Sequence, residues 1–191
     1  MGGPVGTTAV ASLASDRVTP LSLVDPAALL DASAPVRAGI AVVAVLLLGG
    51  LLVYRYESLL DRSMEATNER PLAAVVYGLS AHLVMLFASI YLTSRVGETG
   101  FSELNAGTVG VLFLVTLLLS AAVVGFTVVG ATLVELGGGH SRVAGPLAGA
   151  GIAGGAAVLG PVYGGVVWIL VVSTGIGGPV RRWVHASVDG H

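Results

Sequence analysis

Four stretches of this chain run without a single Asp, Glu, Lys or Arg, and their lengths decide what it can fold into. Between Arg37 and Arg55 lie 17 such residues, and between Arg70 and Arg95 lie 24, Pro71 to Ser94. Between Glu103 and Glu135 lie 31, Leu104 to Val134, and between Arg142 and Arg181 lie 38, Val143 to Val180. An Arg or Asp at the centre of a span costs about 2.5–3.5 kcal/mol on insertion scales. A core of ~30 Å needs roughly 17–25 helical residues, so each interval marks membrane-spanning helix. Composition agrees: charged residues make up 10% of the 191 and hydrophobic ones 54%, against about 25% charged in soluble domains. The expected fold is an all-α integral membrane helical bundle.

The last interval would be a helix of roughly 57 Å if continuous, nearly twice the hydrocarbon thickness, so it must be broken. Gly160-Pro161 is where the break is written, since proline lacks a donor and clashes with the preceding turn while glycine lets the chain bend. Cutting there predicts five transmembrane helices, at about 38–54, 71–94, 107–133, 143–159 and 162–178. The alternative is four, with Gly160-Pro161 as a kink in one tilted helix or as the tip of a re-entrant hairpin. All nine basic residues are arginine. With five spans they divide six to three between the two sides, which by the positive-inside rule puts the N-terminus outside and the C-terminus in the cytoplasm of a multi-pass cell-membrane protein. With four spans the split is four to five and gives no such direction. Arginine without lysine, beside so much Ala, Val, Leu and Gly, also fits a GC-rich, halophilic archaeal source.

Residues 1–35 carry prolines at 4, 20, 26 and 35 among small and polar residues. They lack the basic start and apolar run of a signal peptide and are expected to be a flexible extracytoplasmic segment, with Asp25-Pro26 able to open one short interfacial helix. The transmembrane domain then covers 36–182 and a short cytoplasmic tail 183–191. Zero cysteine excludes a disulfide scaffold, a thiolate metal site and a cysteine nucleophile. A net charge of -2 without a basic run offers nothing to nucleic acid.

Within this frame few side chains carry chemistry. His82 is the one ionisable residue expected mid-span, a functional position by default in a membrane. No Asp, Glu or second His shares its depth, and Tyr77, Ser80, Ser89 and Tyr91 give polar company without forming a catalytic set. The bland reading is a neutral imidazole bonded to a neighbour. Glycines at 145 and 149, 151 and 155, and 160 and 164 repeat the small-xxx-small spacing that lets helix backbones approach closely; they predict a packing surface, within the chain or between copies in a homo-oligomer. The segment 55–70, RYESLLDRSMEATNER, puts Tyr56, Leu59, Leu60 and Met64 on one face. It is expected to prolong the first span as an amphipathic helix at the headgroups, or to offer a docking face to a protein partner. Arg181, Arg182 and Trp183 form an interface anchor of the aromatic-belt type. Glu135 and His140 flank a glycine turn, and two ligands do not make a metal site. No catalytic, cofactor-binding or metal-binding residue is expected.

Four stretches follow one another along the chain: Asn68 to Leu79, Val123 to Ala131, Gly145 to Gly155, and Leu159 to Gly178, the last with a Pro-x-x-Gly-Gly turn and a Gly-x-Gly close at Pro161, Gly164, Gly165, Gly175 and Gly177. In this order they resemble an uncharacterised multi-span membrane domain of archaea and bacteria that is often fused to, or found with, bactofilin-like polymer-forming proteins. The resemblance covers about Arg55 to Arg182 and brings no catalytic residues. It implies a scaffold role for a polymer-forming partner, which must be a separate chain, because residues 1–35 are too short for that β-helix. The function expected is a non-enzymatic membrane anchor or accessory scaffold subunit embedded in the lipid bilayer. The alternative is a small transporter or channel subunit using His82 and the broken Gly-rich segment.

Overall fold

The computed structural model describes residues 32–98, 103–139, 141 and 143–189; most of the 1–35 segment, with Asp25-Pro26, lies outside them. Among the described residues there are six helices and no strand: α1 (Ala34–Arg55), α2 (Glu57–Glu69), α3 (Pro71–Glu98), α4 (Glu103–Leu136), α5 (Ala144–Val158) and α6 (Gly160–Asp189). Four of these, α1, α3, α4 and α6, are long and apolar enough to cross a membrane. The fifth apolar helix, α5, has 15 residues and is about 22 Å long.

Local chemistry sets most of the boundaries. Tyr56 leaves helical geometry (φ -133°, ψ 43°) while its N–H still bonds Leu52 O at 2.8 Å, so α2 is a separate helix and not a continuation of α1. Arg70 is extended (φ -148°, ψ 78°), as a residue before proline must be, and Pro71 opens α3 where its missing N–H costs nothing. α4 ends in a Schellman motif: Gly138 takes φ +78°, its N–H bonds Glu135 O, and the Gly139 N–H bonds Val134 O, both at 2.9 Å. Gly160 does the same work between α5 and α6 with φ +82°, and Pro161 follows as an early residue of α6.

The break at Gly160-Pro161 is therefore real, and the chain reverses there. Gly149 of α5 lies against Phe126, while Gly175 of α6 lies against Gly125, so both arms of the turn reach the same level of α4. One kinked helix cannot do that, and this alternative is corrected to a helical hairpin. At one end of the bundle the Arg37 side chain of α1 donates to Ala157 O at the close of α5, at 3.5 Å; at the other, the last turns of α6 meet α2. Thus α1, α3, α4, α5 and α6 run alternately up and down. The expected last piece, 162–178, is also too short: α6 continues through Pro179 to Asp189, so most of the tail is helix.

α4 is the central helix and touches each of the other five. The core it organises is built mostly of small side chains, Ala121, Ala122, Ala150, Ala153, Val45 and Val172, with Phe126 and Ile176 as the larger members. Outward faces are apolar instead, with Val43, Leu47 and Leu51 on α1, Leu83, Val84 and Phe87 on α3, and Val162 and Val166 on α6 all exposed. Such an inverted distribution suits lipid tails, where close backbone approach rather than water exclusion drives packing. Several hydroxyls in the long helices are satisfied on their own backbone: Ser89, Thr93, Thr116, Ser120 and Thr174 each donate to the carbonyl four residues earlier, as suits a segment without water, whereas the Thr127 and Thr132 hydroxyls of α4 are buried without a partner.

Candidate functional site

The seams between helices show which glycines pack. A Cβ on Gly145 would meet Ala131, one on Gly149 would strike the Phe126 carbonyl, and one on Gly164 would strike the Ala156 carbonyl. Gly151 and Gly155, by contrast, face open space, with nothing within 4 Å of an added methyl; their assignment to the intramolecular packing face is corrected. Gly160 likewise packs on nothing and serves the turn. Between Gly151 and Gly155, Gly154 takes the contact expected of its neighbours, meeting Val42 of α1. The tightest seams lie elsewhere. Gly78 abuts the Ser173 backbone, Gly177 the Ala74 backbone, Gly130 the backbone of Gly145 and Gly149, and Gly125 and Gly175 face the opposite helix with no side chain between.

His82 sits on the α3–α6 seam one turn after Gly78. Its Nδ1 is 2.8 Å from the Gly78 carbonyl, which can only accept, so Nδ1 carries the proton. Ser173 Oγ lies 3.4 Å from the same nitrogen, and the ring stands edge-on to Trp168 at 5.6 Å between centroids. The other nitrogen, Nε2, is buried without a hydrogen-bond partner. The bland reading of the sequence is thus half met: one nitrogen is bonded to its own helix and the other is buried without a partner. Among the described residues no group of three or more His, Asp or Glu could hold a metal. Glu135 is exposed at its glycine turn, and His140 lies outside the described residues.

The charged groups converge instead at the end where α2, the start of α3 and the last turns of α6 meet. α2 turns Leu60, Met64, Ala66 and Thr67 inward, and Gly178 of α6 packs directly on Ala66 and Thr67. That contact sets Glu65 and Glu69, one turn apart, opposite Arg181 and Arg182. Arg181 Nη2 donates to Glu69 Oε2 at 2.5 Å and to Ala66 O at 3.3 Å, and its side chain is 12% exposed. Arg182 Nη2 reaches Glu69 Oε1 at 3.1 Å and Glu65 Oε2 at 3.2 Å. Hydrogen bonds from Arg181 and then Arg182 hold the Glu69 carboxyl below its usual pKa. From sequence Arg181 reads as a free interface anchor; the structure makes it a mostly buried clasp, while Trp183 stays 72% exposed.

Beside this clasp opens a cleft of about 410 Å³, lined by Glu69, Arg70, Tyr77, Arg181, Arg182 and His185. Sequence reasoning misses it because its members lie more than a hundred residues apart. The one signal within reach is charge complementarity between the Glu65/Glu69 face and the Arg181-Arg182 pair. Compared with family models, curated proteins and solved structures, the chain matches none.

Proposed function

We propose that the chain is a non-enzymatic integral membrane protein, an anchor or accessory scaffold subunit that holds a partner at the cell membrane. The observation that carries this reading is the backbone-to-backbone interlock at Gly78, Gly125, Gly130, Gly175 and Gly177. Helices joined without intervening side chains gain a fixed shape and have little room to rock against one another. Most charged residues among the described ones gather at one end, on α2 and the end of α6, where a partner can be met, while Arg37 and the Arg95–Glu98 pair lie at the other. Arginine asymmetry supports a cytoplasmic position for that end and an outside N-terminus, with α5 completing a five-pass topology. On the resemblance of Arg55 to Arg182, the partner is a bactofilin-like polymer-forming protein. Leu59 of α2 and Tyr56 just before it, both exposed, together with Arg62 one turn after Leu59, form the face offered to it.

The test is recruitment of a purified polymer-forming protein to vesicles carrying the full chain. Binding that is lost on Leu59→Arg, with the fold intact by circular dichroism, supports the anchor; no recruitment above empty vesicles counts against it. A second reading, a small transporter or channel subunit, is favoured by the idle Nε2 of His82 at mid-depth. Solute or proton flux in reconstituted vesicles that disappears in His82→Gln would establish it in place of the first.

A further inference from the structure

We propose that the cleft at the α2–α3–α6 end binds a phosphate group, presented by an anionic lipid headgroup or as free phosphate. This rests on the membrane reading only for the lipid source, and not on any partner. Three arginines line the cleft with one glutamate, and Glu65 also pairs with Arg182 from outside the lining, so one positive charge, that of Arg70, is in excess. Arginine stays charged at every accessible pH and offers a planar fork of donors matched to phosphate oxygens. Both oxygens of Glu69 are already taken, one by Arg181 and one by Arg182. The carboxylate thereby fixes the two guanidinium groups in place and is itself unavailable to Arg70. Among the described residues Arg70 has no carboxylate within ion-pair distance, and it is exposed at the cleft wall.

Other donors converge on the same space. Ala73 also lines the cleft, which places the N-terminus of the 28-residue α3 there, with its first N–H groups lacking intrahelical acceptors and its dipole favouring an anion. Tyr77 adds a phenol, stacked at a tilt against the His185 ring with centroids 6.0 Å apart. The His185 Nδ1–H is occupied by Arg181 O at 2.9 Å, which holds the ring and leaves its far edge to the cleft. A volume of about 410 Å³ admits a headgroup phosphate with its first ester carbons, within the ~300–1,000 Å³ of ordinary ligand sites. Depth fits as well. The cleft begins one turn beyond the glycine seam of Gly177 and Gly178, and Trp183, exposed on another face of α6, stands at the same level, as aromatic residues do at the headgroups. The segment 55–70 alone is near neutral and gives no such site; only when α6 brings Arg181 and Arg182 to Arg70 does the excess arise.

Native mass spectrometry of the full chain, from nanodiscs of phosphatidylcholine with and without phosphatidylglycerol, tests the lipid arm. Titration of the detergent-solubilised chain with inorganic phosphate, followed by tyrosine and tryptophan fluorescence, tests the free-anion arm. Arg70→Gln is the variant, since it leaves the Arg181 and Arg182 ion pairs in place. Retention of phosphatidylglycerol over phosphatidylcholine that falls about tenfold in Arg70→Gln, the loss expected for one charged hydrogen bond, establishes the lipid source. Saturable phosphate binding weakened to the same degree, without lipid preference, establishes the free anion. Equal retention of both lipids and no saturable phosphate binding overturn the proposal, as does binding that Arg70→Gln leaves unchanged. Partner recruitment is read in a separate experiment, so the two proposals fail independently.

Discussion

Replacing Gly125 by alanine adds one methyl group where the structure has no place for it. The new Cβ would lie 2.7 Å from Val172 Cα and 3.1 Å from Val172 O. Both are backbone atoms of α6, so no rotamer change relieves the contact. Ordinary contact begins at 3.4 Å, and α4 and α6 must therefore part by about 0.7 Å at this level. Overpacking of this kind costs roughly 1–3 kcal/mol. Alanine also has an intrinsic helix preference over glycine of about 1 kcal/mol, which pulls the other way. Gly151→Ala supplies the control, because the same exchange there meets open space and leaves only the intrinsic gain. Subtracting the two cancels the preference and isolates the seam: Gly125→Ala should lie below Gly151→Ala by about 1–3 kcal/mol.

The assay is reversible unfolding in mixed micelles of increasing denaturing-detergent fraction, followed by circular dichroism. A third variant sharpens it. Gly175 meets the same seam from the other side, its Cβ 2.5 Å from Gly125 Cα. Once the helices have parted for one methyl the second finds part of its room made, so Gly125→Ala with Gly175→Ala should cost less than the sum of the two. Equal stability of Gly125→Ala and Gly151→Ala, or a Gly151 variant that is the weaker, would refute the claim that backbone contact at these glycines holds the bundle.

The Glu69 clasp makes a pH prediction. Because arginines lower its folded pKa, the stability it contributes is complete above the unfolded value of 4.5 and is lost as pH falls through the lower folded value. Hydrogen exchange of the α2 amides should hence be insensitive to ionisation of Glu69 from about pH 8 to 5, after correction for intrinsic rates. It should accelerate only in stronger acid, and in Glu69→Gln that acid-dependent step should vanish. For topology, Ser141→Cys avoids the left-handed backbone of Gly138 and should react with an impermeant maleimide only from the cytoplasmic side, Glu98→Cys only from outside. The reverse pattern inverts the proposed orientation.

The bundle itself is legible in the sequence because its cause is local. Charge-free runs, Arg70-Pro71, the triple glycine at 137–139 and Gly160-Pro161 each dictate geometry within a few residues, and each boundary falls where those residues act. The seams are not legible to the same degree. Small-xxx-small spacing identifies pairs of glycines that share a helix face, and it says nothing about which face meets another helix. Gly151 and Gly155 satisfy the spacing and look outward, whereas Gly154 between them packs on Val42. The orientation is set by α1 and α4 closing on α5 from two sides, a tertiary choice that no window of α5 contains.

The charged end follows the same logic one level up. In sequence, 55–70 holds three arginines against four acids, and its apolar face looks free to receive a partner. In the structure that face is spent within the chain, with Leu60 and Met64 buried among Val124, Val128 and Ala131 of α4 and Leu52 and Val53 of α1, and the acids Glu65 and Glu69 are spent on Arg181 and Arg182 of α6. Among what stays exposed are Tyr56, Leu59 and Arg62 at the start of this segment and Arg70 at its end. Each residue that completes the α2–α6 contact thereby changes what the remaining ones can do. Neutral in sequence, the segment leaves an arginine without a carboxylate at the cleft once its glutamates are committed. The binding character of this end is produced by folding, since it depends on which charges the glycine contact of Gly178 with Ala66 and Thr67 brings within reach.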